Sequence, residues 1–70
     1  MNKSIRIIVN GLEEEVPAGS NLAFLIEYFQ EKEPALIVEY NHHVVFPQDY
    51  KTIKVKEKDS VEFIHPNIGG

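Results

Sequence analysis

Seventy residues make one domain at most, and 43% of them are hydrophobic, enough for a packed core and too many for a disordered chain. Seven Lys and Arg against eleven Asp and Glu leave a formal net charge of −4, which disfavours nucleic-acid binding because phosphate neutralisation needs a basic surface, and makes a basic protein partner the more natural one. The sequence has no cysteine, which excludes disulfides, thiolate metal sites and cysteine nucleophiles and fits a reducing compartment.

The chain opens with "KSIRIIV", whose alternation around Ile5, Ile7 and Val9 predicts a strand over 3–9. Arg6 and three following glutamates rule this opening out as a signal peptide. No apolar run reaches the roughly 20 residues of a membrane span, so the expected location is cytoplasmic, away from membranes. Asn10-Gly11 is the strongest hairpin signal in the chain, because a type I′ turn needs positive φ at both central residues. "LEEEV" returns as a strand over 12–16. Glu14 shares parity with Leu12 and Val16, so this strand is irregular or lies at a sheet edge.

"PAGSN" punctuates next: Pro17 and Gly19 end the strand, and Ser20 or Asn21 caps a helix. Leu22, Leu25, Ile26 and Phe29 fall at i, i+3, i+4 and i+7 and predict a helix over 22–32, with Pro34 as its stop. "ALIVEY" (35–40) is a third strand, "NHH" a turn and "VVF" (44–46) a short fourth strand. "PQDY" is a turn with room for one helical turn, and "TIKVK" (52–56) adds a short strand through Ile53 and Val55. The last strand covers 60–65 with Val61 and Phe63 on one face, and Pro66, which has no N–H for a ladder, ends it. "NIGG" has no packing pattern, so residues 66–70 are expected to form a mobile tail.

The fold class is therefore α+β: a single domain over 1–70, with one helix packed on one small sheet. Ile5, Ile7, Val9, Val61 and Phe63 form the core face. The opposite face carries Arg6 and Glu62 together with Ile8 and Ile64, which form a patch for a partner if they adjoin. No self-complementary apolar face is apparent, so a monomer is expected.

Little in the chain supports catalysis of its own. His42 and His43 are adjacent, so in an extended segment they point to opposite sides and do not chelate one ion together. His65 precedes Pro66, and no further ligands stand at metal-site spacing, so all three histidines read as turn or surface residues. The run Glu13–Glu15 reads as a solvated face. Ser4, Ser20, Thr52 and Ser60 lack any sign of an activating base, and the glycines show no phosphate-cradling spacing. What stands out is Gly69-Gly70. A glycine α-carboxylate with no side chain on either of the last two residues threads a narrow channel at any φ,ψ the channel demands, and another enzyme can activate it by adenylation with ATP.

The residues "VNGLEEEVPAGSNLAFLIEYF", "VEYNHHVVFPQDY" and "EKDSVEFIHPNIGG", in this order and spacing, resemble the ThiS/MoaD family of sulfur-carrier proteins, which have the ubiquitin-like β-grasp fold. The resemblance covers the whole chain. It implies that the Gly70 carboxylate is adenylated by a ThiF/MoeB-like enzyme and converted to a thiocarboxylate, whose sulfur is then donated to a biosynthetic acceptor. Gly69 gives slim access, and Pro66, Asn67 and Ile68 form the stem that enters the partner, with Ile8 and Ile64 as candidate sheet contacts. On this reading the protein is a carrier and not an enzyme. It binds no cofactor, ATP being used by the partner, and its sulfur comes from a donor such as a cysteine desulfurase. The acceptor is thiazole synthase in the ThiS branch and the molybdopterin synthase large subunit in the MoaD branch. The length and the "VNG…PAG" opening favour ThiS. "FIHPNIGG" is closer to the MoaD tail, with His65 in place of its first proline, and Glu14 stands where ThiS sequences usually carry an apolar residue. Two alternatives are a ubiquitin-like binding module with an inert tail and a carrier conjugated to lysines.

Overall fold

The computed structural model describes residues 3–66. The elements are β1 (Ser4–Val9), β2 (Leu12–Pro17), α1 (Leu22–Tyr28), β3 (Ile37–Tyr40), β4 (His43–Val45), a 3-10 turn (Pro47–Asp49) and β5 (Ser60–Ile64). The strands form one mixed sheet in the order β2-β1-β5-β3-β4. β1 and β5 run parallel, with Ile8 beside Ser60 and Val9 beside Val61, while the β1–β2, β3–β4 and β3–β5 pairs are antiparallel. Strand β2 is an edge, which is how it tolerates Glu14 on the parity of its one buried residue, Val16; Leu12, on the same parity, is exposed.

The hairpin turns as its sequence predicts, with Asn10 at φ 50° and Gly11 at φ 83°. The β3–β4 hairpin turns in the same way at Asn41 (φ 49°) and His42 (φ 71°), so β4 begins at His43 and ends before Phe46. Pairing across the sheet and period-2 alternation put Ile7, Val9, Val16, Val38, Val45, Val61 and Phe63 on the buried face, where Leu22 and Leu25 of α1 and Val55 close the core. Ile5 is partly buried and packs against this cluster.

Asn21 caps α1: its Oδ1 accepts the Phe24 N–H at 2.7 Å, and its Nδ2 donates to the Lys51 carbonyl at 3.2 Å. Ser20, the other candidate cap, is buried and donates instead to the Pro17 carbonyl. The helix is shorter than its apolar pattern suggests. Gln30 takes a left-handed φ of 57°, and the Gln30 and Glu31 amides donate to the Glu27 and Ile26 carbonyls, a Schellman ending four residues before Pro34. The apolar stripe stops at Phe29, so no burial is lost.

Two strand boundaries also move. Residues 33–36 turn, with the Leu36 N–H donating to the Glu33 carbonyl, and β3 starts at Ile37 instead of residue 35. Residues 52–56 form no strand. Their alternation is real, since Val55 is buried and Ile53 half-buried, but their partner is the loop entering α1. Leu22 N–H donates to the Ile53 carbonyl and Val55 N–H to the Ser20 carbonyl, leaving a single bridge between Asn21 and Lys54 before the chain coils into the helix.

Candidate functional site

The site is defined by where β5 leaves the sheet. β5 lies between β1 and β3 and runs on past the end of β1. The β1–β2 turn continues the ladder beyond that point: Asn10 N–H donates to the Val61 carbonyl at 3.0 Å, and the Phe63 N–H donates to Asn10 Oδ1 at 2.8 Å. The asparagine of "VNG" therefore serves both the turn and the strand that leads to the tail. Beyond Ile64 the chain passes exposed His65 and half-buried Pro66. His65 Nε2 stands 2.5 Å from Glu31 Oε1, just past the C-terminal end of α1. The sequence-predicted tail residues Asn67, Ile68, Gly69 and Gly70 lie outside the described residues.

The solvent face of the sheet holds the other predicted contacts. Ile64 pairs across the sheet with Ile37, and Glu62 pairs with Glu39, which pairs in turn with Val44. Phe46 shares the parity of Val44 just past β4. Ile37, Val44 and Phe46 are exposed and Ile64 is half-buried, so the sheet beside the tail exit carries an apolar group. Ile8 is on the same face at the other end: its neighbour in β5 is Ser60, four residues and about 13 Å of strand from Ile64. The two isoleucines do not adjoin, and Ile64 has Ile37 as its partner instead.

The electrostatics of this face are one-sided. Among the described residues, Glu13, Glu15, Glu39 and Glu62 share it with a single strand cation, Arg6, which lies opposite Glu15. Like charges directly opposite each other, as at Glu39 and Glu62, oppose sheet pairing. Such a pair is stabilised when a cationic surface covers it.

Two of the three shifted ionisable groups, Asp59 and Tyr40, lie elsewhere, at the start of β5. Asp59 Oδ2 accepts the Tyr40 hydroxyl at 2.5 Å and the Lys56 N–H at 2.8 Å, and Asp59 Oδ1 accepts from Asn41 Nδ2 at 3.3 Å. Burial works to raise the Asp59 pKa, but these three hydrogen bonds and the Lys56 charge outweigh it and hold the carboxyl below its ordinary value. Burial, with the Asp59 hydrogen bond and charge, pushes Tyr40 up to about 12. Burial raises Tyr50 as well. This cluster fastens two turns and lies at the opposite end of β5 from the tail exit.

Reasoning from sequence missed Glu31, Ile37, Val44 and Phe46 as members of the site. Ile37 had a usable signal, since it alternates with Val38 and so faces away from the core. His65 and Glu31 are 34 residues apart and carry none. Among the described residues no helix is long and apolar enough to cross a membrane.

The model of the ThiS family matches residues 1–70. No curated protein matches the chain significantly. Among solved structures, the thiamine biosynthesis protein (ThiS) from Geobacter metallireducens superposes with a TM-score of 0.84 at 26% identity, covering 94% of this chain and 100% of that one. The architecture is the ubiquitin-like β-grasp.

Proposed function

Because the chain belongs to the ThiS family, we propose that it is a sulfur carrier whose reactive group is the Gly70 carboxylate. The family match over residues 1–70, which takes in Gly69-Gly70, is the observation that carries this reading. The carboxylate oxygen attacks the α-phosphorus of ATP on a ThiF-like partner, giving an acyl-adenylate and releasing pyrophosphate. The terminal sulfur of a persulfide donor then attacks the acyl carbon and displaces AMP, and a second thiol attacks the donor's sulfur in the resulting acyl disulfide, leaving a C-terminal thiocarboxylate and a donor disulfide. Its sulfur is a better nucleophile than the original oxygen. The sulfur attacks an electrophilic carbon of the acceptor, and cleavage of the acyl C–S bond, with an oxygen of the acceptor or of water taking its place, returns the carboxylate for another cycle. The related structure bears a thiamine-biosynthesis name, so thiazole synthase is the proposed acceptor.

Two features of the chain suit this cycle. Gly69 and Gly70 offer no Cβ to a narrow channel. The apolar group of Ile64, Ile37, Val44 and Phe46 lies beside the tail exit, flanked by Glu39 and Glu62. A partner with an apolar spot ringed by Lys or Arg fits it, and electrostatic complementarity of this kind speeds encounter. Pro66, Asn67 and Ile68 are the stem that follows the docked sheet into the partner. The test is intact mass spectrometry after incubation with ATP, a ThiF-type enzyme and a sulfur donor. A protein that exchanges one oxygen for one sulfur supports the reading, and one whose mass never changes refutes it.

A further inference from the structure

We propose that His65 and Glu31 form a positioning clamp that sets the direction in which the chain leaves the fold, and so the ease with which the tail enters the adenylating partner. The inference rests on the carrier reading. Nε2 of His65 and Oε1 of Glu31 are 2.5 Å apart. A carboxylate only accepts, so Nε2 carries the hydrogen, and the bond forms with the neutral Nε2–H tautomer as well as with the imidazolium. The two side chains are unequal: Glu31 is 16% exposed and His65 is 53% exposed. The carboxylate is therefore the fixed post, and the imidazole is the part that swings.

Both neighbours of the clamp are themselves held. Glu31 is placed by the helix ending, where its own N–H donates to the Ile26 carbonyl. On the sheet side, Phe63, two residues before His65, is tied to Asn10 Oδ1. Phe63 and His65, two of the last three residues before the stem, are thus gripped from the sheet and from the helix. Pro66 follows directly, and its ring restricts the backbone of His65 to extended conformations, so fixing the imidazole fixes the exit vector. An exposed ion pair shifts an equilibrium by up to about fivefold. The clamp is strong enough to bias the tail and weak enough for a partner to open.

Two experiments separate this inference from the carrier reading. In the free protein, three-bond couplings are expected to show His65 in a single χ1 rotamer, the one that reaches Glu31, and Glu31→Ala is expected to leave it averaged among rotamers. A χ1-averaged His65 in the parent protein would overturn the clamp whatever the tail does. In the adenylation assay, His65→Ala and Glu31→Ala are each expected to raise KM for the carrier about threefold to fivefold with kcat within twofold, and the double variant is expected to be no worse than either single one. His65→Gln, which keeps a donor near the Nε2 position, is expected to restore KM. Unchanged KM in both single variants, or additive losses in the double variant, would refute the clamp. A parent protein that is never adenylated would refute the carrier reading while leaving the rotamer result to judge the clamp.

Discussion

Replacing Asp59 by alanine removes the acceptor that fastens the β3–β4 turn to the turn before β5. Three bonds go at once: from Tyr40 Oη at 2.5 Å, from the Lys56 amide at 2.8 Å and from Asn41 Nδ2 at 3.3 Å. The Tyr40 bond is partly buried and carboxylate-assisted, and is worth about 1.5–2 kcal/mol. The Lys56 amide is exposed and can turn to water, so its loss costs about 0.5–1 kcal/mol, and the long Asn41 bond adds little. The sum, about 2–3 kcal/mol, corresponds to a Tm drop of roughly 10–20 °C in a domain of this size. Thermal unfolding followed by circular dichroism at pH 7 reads it directly. The pH dependence adds a second check. Asp59 is held below its ordinary value of 3.8, so its contribution is complete above that value and is lost as pH falls through the folded value. The gap between parent and variant should therefore close in acid. Tyr40 has the opposite sense: its pKa rises from 10.0 to about 12, so its contribution is complete below pH 10 and is lost as pH climbs toward 12. The alanine variant should ionise Tyr40 at lower pH than the parent, since burial is the only raising influence left. A Tm change under about 2 °C, set against the 4–8 °C expected per kcal/mol, or a gap that persists in acid, would refute the account of this cluster.

Gln30→Gly should stabilise the fold by about 0.5–1 kcal/mol in a denaturant titration, because glycine adopts the left-handed helix ending without the penalty a side chain incurs. Leu25→Ala should cost about 2–5 kcal/mol, since Leu25 is fully buried between α1 and the sheet, and the thermal melt should fall accordingly. Ile64→Asp should leave the circular dichroism spectrum unchanged and weaken binding to the adenylating partner by at least about tenfold, the scale of a lost interface anchor. Ile8→Asp, at the far end of the same face, should weaken it much less, and calorimetric titration of both variants compares them.

The legible parts of this fold are those whose cause is local. Asn10-Gly11 announces a turn because few residues adopt positive φ, Asn21 announces a helix because its side chain accepts an orphan amide, and the alternation in β1 and β5 announces one buried face. The helix end was hidden because glutamine, not glycine, occupies the left-handed position at residue 30. The segment over 52–56 has the period of a strand, but its partner is the loop before α1, and periodicity does not name a partner. Ile8 and Ile64 share a face as their parity implies. Their separation follows from the parallel register of β1 and β5, which couples residues about 50 apart in sequence and leaves no local trace. The apolar group around Ile37 and the His65–Glu31 contact are products of that same topology. Gly69 and Gly70 gained meaning only through the family resemblance of the entire chain.

The most direct test of the central claim compares the parent protein with Gly70→Ala and with a chain ending at Ile68, each incubated with ATP, a ThiF-type enzyme and a sulfur donor, by intact mass spectrometry. The account predicts one sulfur-for-oxygen exchange, located on Gly70 by fragmentation, in the parent protein. It predicts a severe loss for Gly70→Ala and none of the product for the shortened chain, with all three proteins equally folded. Sulfur incorporated at any other residue, or undiminished labelling of the shortened chain, would contradict it.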